Sequence, residues 1–289
     1  MTHAPIKIVH FTDPGCPFAF SAERQLRQLE WHYGDQVALA TRMIVLADSV
    51  DEFAAKGFTP EMLQKGHTNL QQQYGMPISL DLRDRMSATR DACAAYVAAR
   101  MHAPERAGRL LRELRVLNMG GRLLDDPETI TLAAAAAGID ATQLAGWADE
   151  PEAVAELEAD KTAARHPHES AVTLSHKLAK WAEGWRYTAP SLEVAASADD
   201  TIVVPGFQPI ESIDVAIAHV APWVRRRANA ETVEEVLEWA EFPLATAEIA
   251  AIRGISIDAA RAELNELGAQ YDEVGADGYW QLVRVGAGV

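Results

Sequence analysis

Two cysteines in 289 residues, Cys16 and Cys93, are too few for a disulfide framework. A chain of this length buries a core large enough not to need one, so cysteine chemistry here is expected to mean reactivity rather than stapling. Long apolar runs are missing too. The longest alanine-rich stretch, Ala133 to Ile139, falls far short of the ~20 residues that span a bilayer. The opening Met1-Thr2-His3-Ala4-Pro5 passes straight into strand-like Ile6-Lys7-Ile8-Val9, without the basic region, apolar stretch and cleavage site of a secretory signal. The cytoplasm is therefore the expected compartment. Positive charge is scarce: 26 Lys and Arg stand against 42 Asp and Glu, a net charge of -16. That balance disfavours nucleic acid and anionic lipid as partners. No P-loop, dinucleotide fingerprint or Ser/His/Asp signature occurs. His166-Pro167-His168 brings two imidazoles together, but no cysteine or carboxylate pattern completes a metal site. These read as loop histidines, and no metal is expected.

What is present begins as a β-α-β unit. Residues 6–11 read as a buried strand, Thr12-Asp13-Pro14-Gly15 as a turn, and Cys16-Pro17 as the start of a helix to Tyr33. Pro17 suits the first helical position, and Ala22, Leu26, Leu29 and Tyr33 share one face. A second strand is expected from Val37 to Val45. Residues 59–185 read as a helical insertion. Its helices are predicted from Thr59-Pro60-Glu61, over Arg83–Met101 and Glu105–Asn118, from Asp126 to Gly138, and in two or three further pieces up to Ala182. Strands then return at Leu192–Ala195 and Ile202–Val204, joined by an Asp199-Asp200 turn, and Ile210–Val224 reads as a closing helix. An interrupted β-α-β followed by β-β-α is the thioredoxin order, an α/β fold.

The chemistry concentrates in Asp13-Pro14-Gly15-Cys16-Pro17-Phe18-Ala19. A cysteine capping a helix that follows a strand faces unpaired N–H groups and the positive end of the helix dipole. Such a setting lowers a thiol pKa from about 8.5 into the range of about 3.5–7.5 and supplies the thiolate that attacks disulfides. The bland alternative is a small apolar residue filling a strand–helix corner. Cys93, among alanines in mid-helix, reads as a core cysteine, with a secondary role at the site as the alternative; Thr89 and Arg90 on the same helix are candidates to line it. His10, ending the first strand, is placed to tune Cys16 or simply to pack. Trp181 and Trp185 read as core residues or as pocket walls.

The segment Asp13-Pro14-Gly15-Cys16-Pro17-Phe18 resembles the active-site loop of DsbA-like and FrnE-like proteins and of kappa-class glutathione transferases, the group that includes hydroxychromene-carboxylate isomerase. Gly75-Met76-Pro77 and Pro205-Gly206-Phe207-Gln208 also match segments of this group, and the likeness extends over residues 6–224. The resemblance implies a thioredoxin fold interrupted by helices. It also implies a cis-proline loop, Thr188-Ala189-Pro190-Ser191, with Ala189 presenting its backbone to a bound thiol beside Cys16. One departure matters. Where the pattern has C-x-x-C, this chain has Ala19, so no second thiol resolves a mixed disulfide. The resemblance then implies monothiol exchange, with no tightly bound cofactor and with glutathione or mycothiol as co-substrate. Asp13, Pro14, Pro17, Phe18, Ala19, Thr188, Ala189 and Pro190 would form the thiol-binding set around Cys16. A kappa-like transferase or isomerase, and a redox-inactive adaptor, stand as alternatives.

A division at residue 227 is expected, with residues 1–227 as the thioredoxin domain and 228–289 as a small α+β module of winged-helix outline. Glu231–Ala240 reads as a helix, Ala245–Leu267 as helix–turn–helix, and Tyr271–Val283 as a hairpin turning at Asp277-Gly278. The module carries 12 acidic against 3 basic residues, so it would oppose phosphate. Protein contact or homodimerisation is the expected role, and DNA is disfavoured.

Overall fold

The computed structural model describes residues 4–181, 183–197 and 200–283. Strand β1 (Ile6–Thr12) alternates its side chains between two layers, with Ile6 and Ile8 on one side and Phe11 on the other. The expected single helix is two, α1 (Pro17–Ser21) and α2 (Glu23–Tyr33). At the break, the Ala22 N–H is shared between the carbonyls of Phe18 and Phe20. Strand β2 (Val37–Met43) pairs parallel to β1.

The insertion holds α3 (Val50–Ala55), α4 (Pro60–Tyr74), α5 (Arg90–His102), α6 (Pro104–Met119), α7 (Pro127–Ala136), α8 (Ala141–Ala148), α9 (Pro151–Arg165) and α10 (Glu169–Val172). Thr59 caps α4 and Asp126 caps α7, as their sequences predict. Two expectations fail here. Residues 83–89 are not helical: the N–H groups of Ala88 and Thr89 bond to Asp125 and to the Ala47 carbonyl, and Ser87 Oγ accepts from Leu124. Tertiary partners have taken the groups a helix would use. The stretch before the proline loop forms a short hairpin, β3 (Ala179–Trp181) with β4 (Gly184–Arg186), in which the Lys180 ammonium lies over the Trp185 ring.

Strands β5 (Ser191–Ser197) and β6 (Asp200–Val204) complete a sheet of order β2-β1-β5-β6 in which β5 runs antiparallel to both neighbours. Asp200 opens β6, while Asp199 of the expected turn lies outside the described residues. The last helix of this unit, α11 (Ile210–Val220), stops before Pro222, which pushes Ala221 out of helical geometry. Helices α2 and α11 cover one face of the sheet, burying Leu29, Tyr33, Ile213 and Ile217 against Ile6, Ile8, Leu192 and Val194. The other face carries Phe11, Cys16, Ile44 and Tyr187. This is the thioredoxin arrangement with a helical insertion.

Beyond it lie α12 (Val233–Trp239), β7 (Leu244–Ala245), α13 (Thr246–Arg253), α14 (Ile257–Leu267), β8 (Gln270–Val274) and β9 (Asp277–Gln281), the strands ordered β7-β9-β8. The hairpin turns at Gly275-Ala276 rather than at Asp277-Gly278. The buried Asp277 carboxylate instead accepts from Thr246 and Arg261, which holds it inside the strand. This unit packs closely on the first. Phe20, Met76, Ile78 and Met119 share a core with Ala245, Ala247 and Tyr279. Gly75 ends α4 in the left-handed region at φ +73°, which other residues rarely adopt, and Ile257 of α14 packs directly over it. Arg112 bridges Glu23 of α2 and Glu248 of α13 at 2.5–3.2 Å, and Arg115 joins Glu23 to Thr12 in β1. Burial would raise the Glu23 carboxyl, but Arg115, Arg27 and Arg112 outweigh it and hold it at about 2. In Arg225-Arg226-Arg227 two side chains are spent on structure: Arg226 meets Asp214 and His32, and Arg227 stacks on Trp31 and pairs with Glu235.

Candidate active site

Cys16 occupies the cap position of α1 with extended backbone, and Pro17 follows at the first helical position. Its Sγ donates to the carbonyl oxygen of Ala189 at 3.2 Å. The Ala189–Pro190 peptide is cis, and the loop is braced from behind: Ser191 Oγ donates to Thr188 O and accepts from Gly206 N. The Thr188 hydroxyl itself donates to Lys177 O. Pro205-Gly206-Phe207-Gln208 thus supports the proline loop, with Phe207 packed on Tyr74.

Asp13 organises the other side of the sulfur. It is buried, one oxygen accepting from Gly15 N and the other from Leu46 N, Thr89 Oγ1 and, at 3.6 Å, Cys93 Sγ. One carboxylate therefore ties the β1–α1 loop to the end of β2 and to α5. Burial pushes its pKa up, against the hydrogen bonds from Leu46, Gly15, Thr89 and Cys93. At Gly15 a β-carbon would strike Thr89 Cγ2 at 2.7 Å, so the loop can lie this close only without one.

The thiol differs from the sequence expectation. Burial drives Cys16 up to about 11; the N–H of Ala19 opposes this, the Asp13 charge adds to it, and Phe18 N–H and Arg115 oppose it more weakly. Helix α1 has 5 residues, too few to build the dipole invoked from sequence, and Cys16 is only 6% exposed. Free Cys16 is a protonated thiol aimed at a carbonyl.

Cys16 nevertheless borders open space. A cavity of about 260 Å³ is lined by Cys16, Pro17 and Phe18, by apolar Phe53, Phe58, Leu63 and Met86, and by Lys56, His67, Arg83 and Arg186. Phe18 is half exposed, while Pro14 is buried in the loop and Ala19 in α1. Thr89 lines the cavity; Arg90 turns away to Asp48 and Glu158. His10 lies instead in a small space behind Pro190 with Gln25 and Leu26. Burial, then Arg115, lowers its pKa to about 3. Cys93 is fully buried, its thiol pushed well up by burial and then by Asp13. Trp185 packs against the Cys16 cluster, and Arg165 lies over Trp181. His166 and His168 make local hydrogen bonds. Among the described residues no group of three His, Cys, Asp or Glu side chains is arranged to hold a metal, and none of the helices is long and apolar enough to cross a membrane.

Sequence reasoning missed His67, Arg83 and Arg186. Arg83 falls at the start of a predicted helix and Arg186 just past the end of the predicted helical insertion; only the nearness of Arg186 to the proline loop marks it.

Residues 7–167, more than half of the chain, match the family described as DSBA-like thioredoxin domain. No curated protein matches the sequence closely enough to count as a relative. Solved structures do. A protein of Nitrosomonas europaea, assigned as a protein disulfide isomerase, aligns at TM-score 0.56 and 15% identity, covering 74% of this chain and 97% of its own. A probable DsbA oxidoreductase of Streptomyces coelicolor aligns at 0.54 and 19%, covering 78% and 94%. The cytosolic disulfide reductase DsbM of Pseudomonas aeruginosa aligns at 0.51 and 16%, covering 74% and 99%. At these identities the structures share the fold.

Proposed function

The chain belongs to the DSBA-like thioredoxin-domain family, and from that premise we propose a thiol–disulfide oxidoreductase that works through the single cysteine Cys16 with a small thiol as co-substrate. The observation that carries this reading is the 3.2 Å contact between Cys16 Sγ and Ala189 O at the edge of an open cavity. A disulfide entering that cavity meets the sulfur on its wall, while the proline loop, which does not line the cavity, holds the sulfur from the other side. Cys16, once deprotonated, attacks one sulfur of the disulfide; the new S–S bond forms as the old one breaks, and a thiolate leaves. With alanine at position 19, a second thiol from solution must attack the mixed disulfide and release Cys16. Glutathione or mycothiol fits that role, and DsbM, which shares the fold, has a structure with GSH. Its cytosolic setting agrees with the cytoplasm as compartment. For residues 228–289 we propose a protein-contact surface, on their acidic balance.

A second reading is favoured by one observation, the thiol raised to about 11. In it Cys16 stays protonated and positions a bound small thiol, whose own sulfur reacts, as in a transferase or isomerase. Turnover of hydroxyethyl disulfide with reduced glutathione separates the two. Loss of turnover in Cys16→Ser, with no adduct formed, supports the first; retained glutathione binding and turnover in Cys16→Ser supports the second.

A further inference from the structure

Among the described residues two guanidinium groups in the Cys16 cavity make no salt bridge, although Asp13 and Glu52 act on Arg186 from a longer range. Arg83 donates to the Asn118 carbonyl and Arg186 to the Tyr187 carbonyl, and among the described residues neither has a carboxylate within ion-pair distance. Both are partly buried. The other cation of the cavity, Lys56, is taken up by Glu52 and the Leu46 carbonyl, and the nearby carboxylate of Asp13 already accepts four hydrogen bonds. Elsewhere this acidic chain pairs its arginines readily, as Arg85, Arg90, Arg100, Arg112 and Arg253 show. Partly buried cations held only by neutral carbonyls are costly, and they are what a site for an anion presents before the anion arrives. A second sign is His67. It is 2% exposed, its Nε2 finds no hydrogen-bond partner, and it lines the same cavity. The remaining wall is apolar, with Phe53, Phe58, Leu63 and Met86.

We propose that the Cys16 cavity selects small disulfides that carry a carboxylate on an apolar, preferably aromatic, body, with Arg83 and Arg186 binding the carboxylate and the phenylalanines covering the ring. This names the substrate class of the site and rests on the reading that Cys16 exchanges with disulfides. A carboxylate brought here replaces solvent around both guanidiniums with charge-assisted hydrogen bonds, which are stronger than neutral ones. In the exchange step Cys16 gives its proton to buffer, its sulfur bonds to one sulfur of the probe, the probe's S–S bond breaks, and an aryl thiolate departs.

The test compares two probes on the full chain carrying Cys93→Ser, so that only Cys16 reports. Dithiobis-nitrobenzoate is an aromatic disulfide with carboxylates; dithiodipyridine is aromatic and uncharged at neutral pH. The readout is the ratio of their reaction rates, which cancels changes in thiol ionisation and folding common to both. In Arg83→Gln/Arg186→Gln the ratio is expected to fall at least ~10-fold, and added salt is expected to lower it in the parent. If the double variant does not fold by circular dichroism, the single variants carry the same ratio test. An unchanged ratio while Cys16 still reacts overturns the carboxylate site and leaves the exchange reading standing. No reaction of Cys16 with either probe overturns both.

Discussion

Cys16 and Ala189 are 173 positions apart in the chain, yet the sulfur of one donates to the carbonyl of the other at 3.2 Å. Everything proposed for this protein turns on that meeting of the first helix and the proline loop. It holds the thiol against the proline loop at the edge of a cavity, and burial there keeps the thiol protonated at rest.

The first consequence is a titration. Burial raises the Cys16 thiol to about 11, so iodoacetamide alkylation of free protein is expected to be slow at neutral pH and to climb steeply between pH 9 and 11. A rate already at its plateau by pH 8 would contradict the buried, protonated thiol.

Asp13 holds the loop together. Asp13→Ala strands the buried N–H of Leu46 and the Thr89 hydroxyl, and is expected to cost roughly 2–4 kcal/mol of stability by urea unfolding. Asp13→Asn keeps an acceptor and is expected to cost less. Equal stability of Asp13→Ala and the parent sinks this account of the loop.

His67 makes stability fall with acid. Burial, then Arg83, lowers its folded pKa from 6.5 to about 4. Between those values the unfolded chain binds the proton and the folded one does not, so stability rises with pH across that window, by roughly 3 kcal/mol. His67→Asn is expected to flatten the slope of unfolding free energy against pH there, relative to the parent. An unchanged slope speaks against a neutral, buried imidazole.

The acidic C-terminal unit is bound to the rest by charge as well as by packing. Arg112→Met leaves Glu23 and Glu248 facing each other without their shared cation. The expected cost is about 3–5 kcal/mol, with faster proteolysis between residues 225 and 232. Restored stability in Arg112→Met/Glu248→Gln, where one carboxylate is also neutralised, assigns the loss to unpaired charge.

What could be read from sequence followed from local rules. Asp13-Pro14-Gly15-Cys16-Pro17 carries its turn, cap and first helical residue in consecutive positions, and the strands on either side alternate visibly. Caps at Thr59 and Asp126 placed their helices to within a residue. The errors arose where distant groups override local preference. Residues 83–89 look helical until Ser87 and Thr89 are seen bonding to Leu124, Asp125 and Asp13. Asp277-Gly278 looks like a turn until Arg261 claims the carboxylate. The thiol departs from its expected pKa for the same reason: a helix terminus is local, whereas burial among Phe11, Ile44 and Tyr187 is not. No periodicity announces that Arg83, Arg186 and His67 will face one cavity.

The central claim is that Cys16 exchanges with small disulfides, and its most direct test is the mass of the intact protein after incubation with oxidised glutathione or oxidised mycothiol. One adduct is predicted, located on Cys16, present in Cys93→Ser, absent in Cys16→Ser, and removed by excess reduced thiol. An unmodified protein, or an adduct that maps to Cys93, contradicts it.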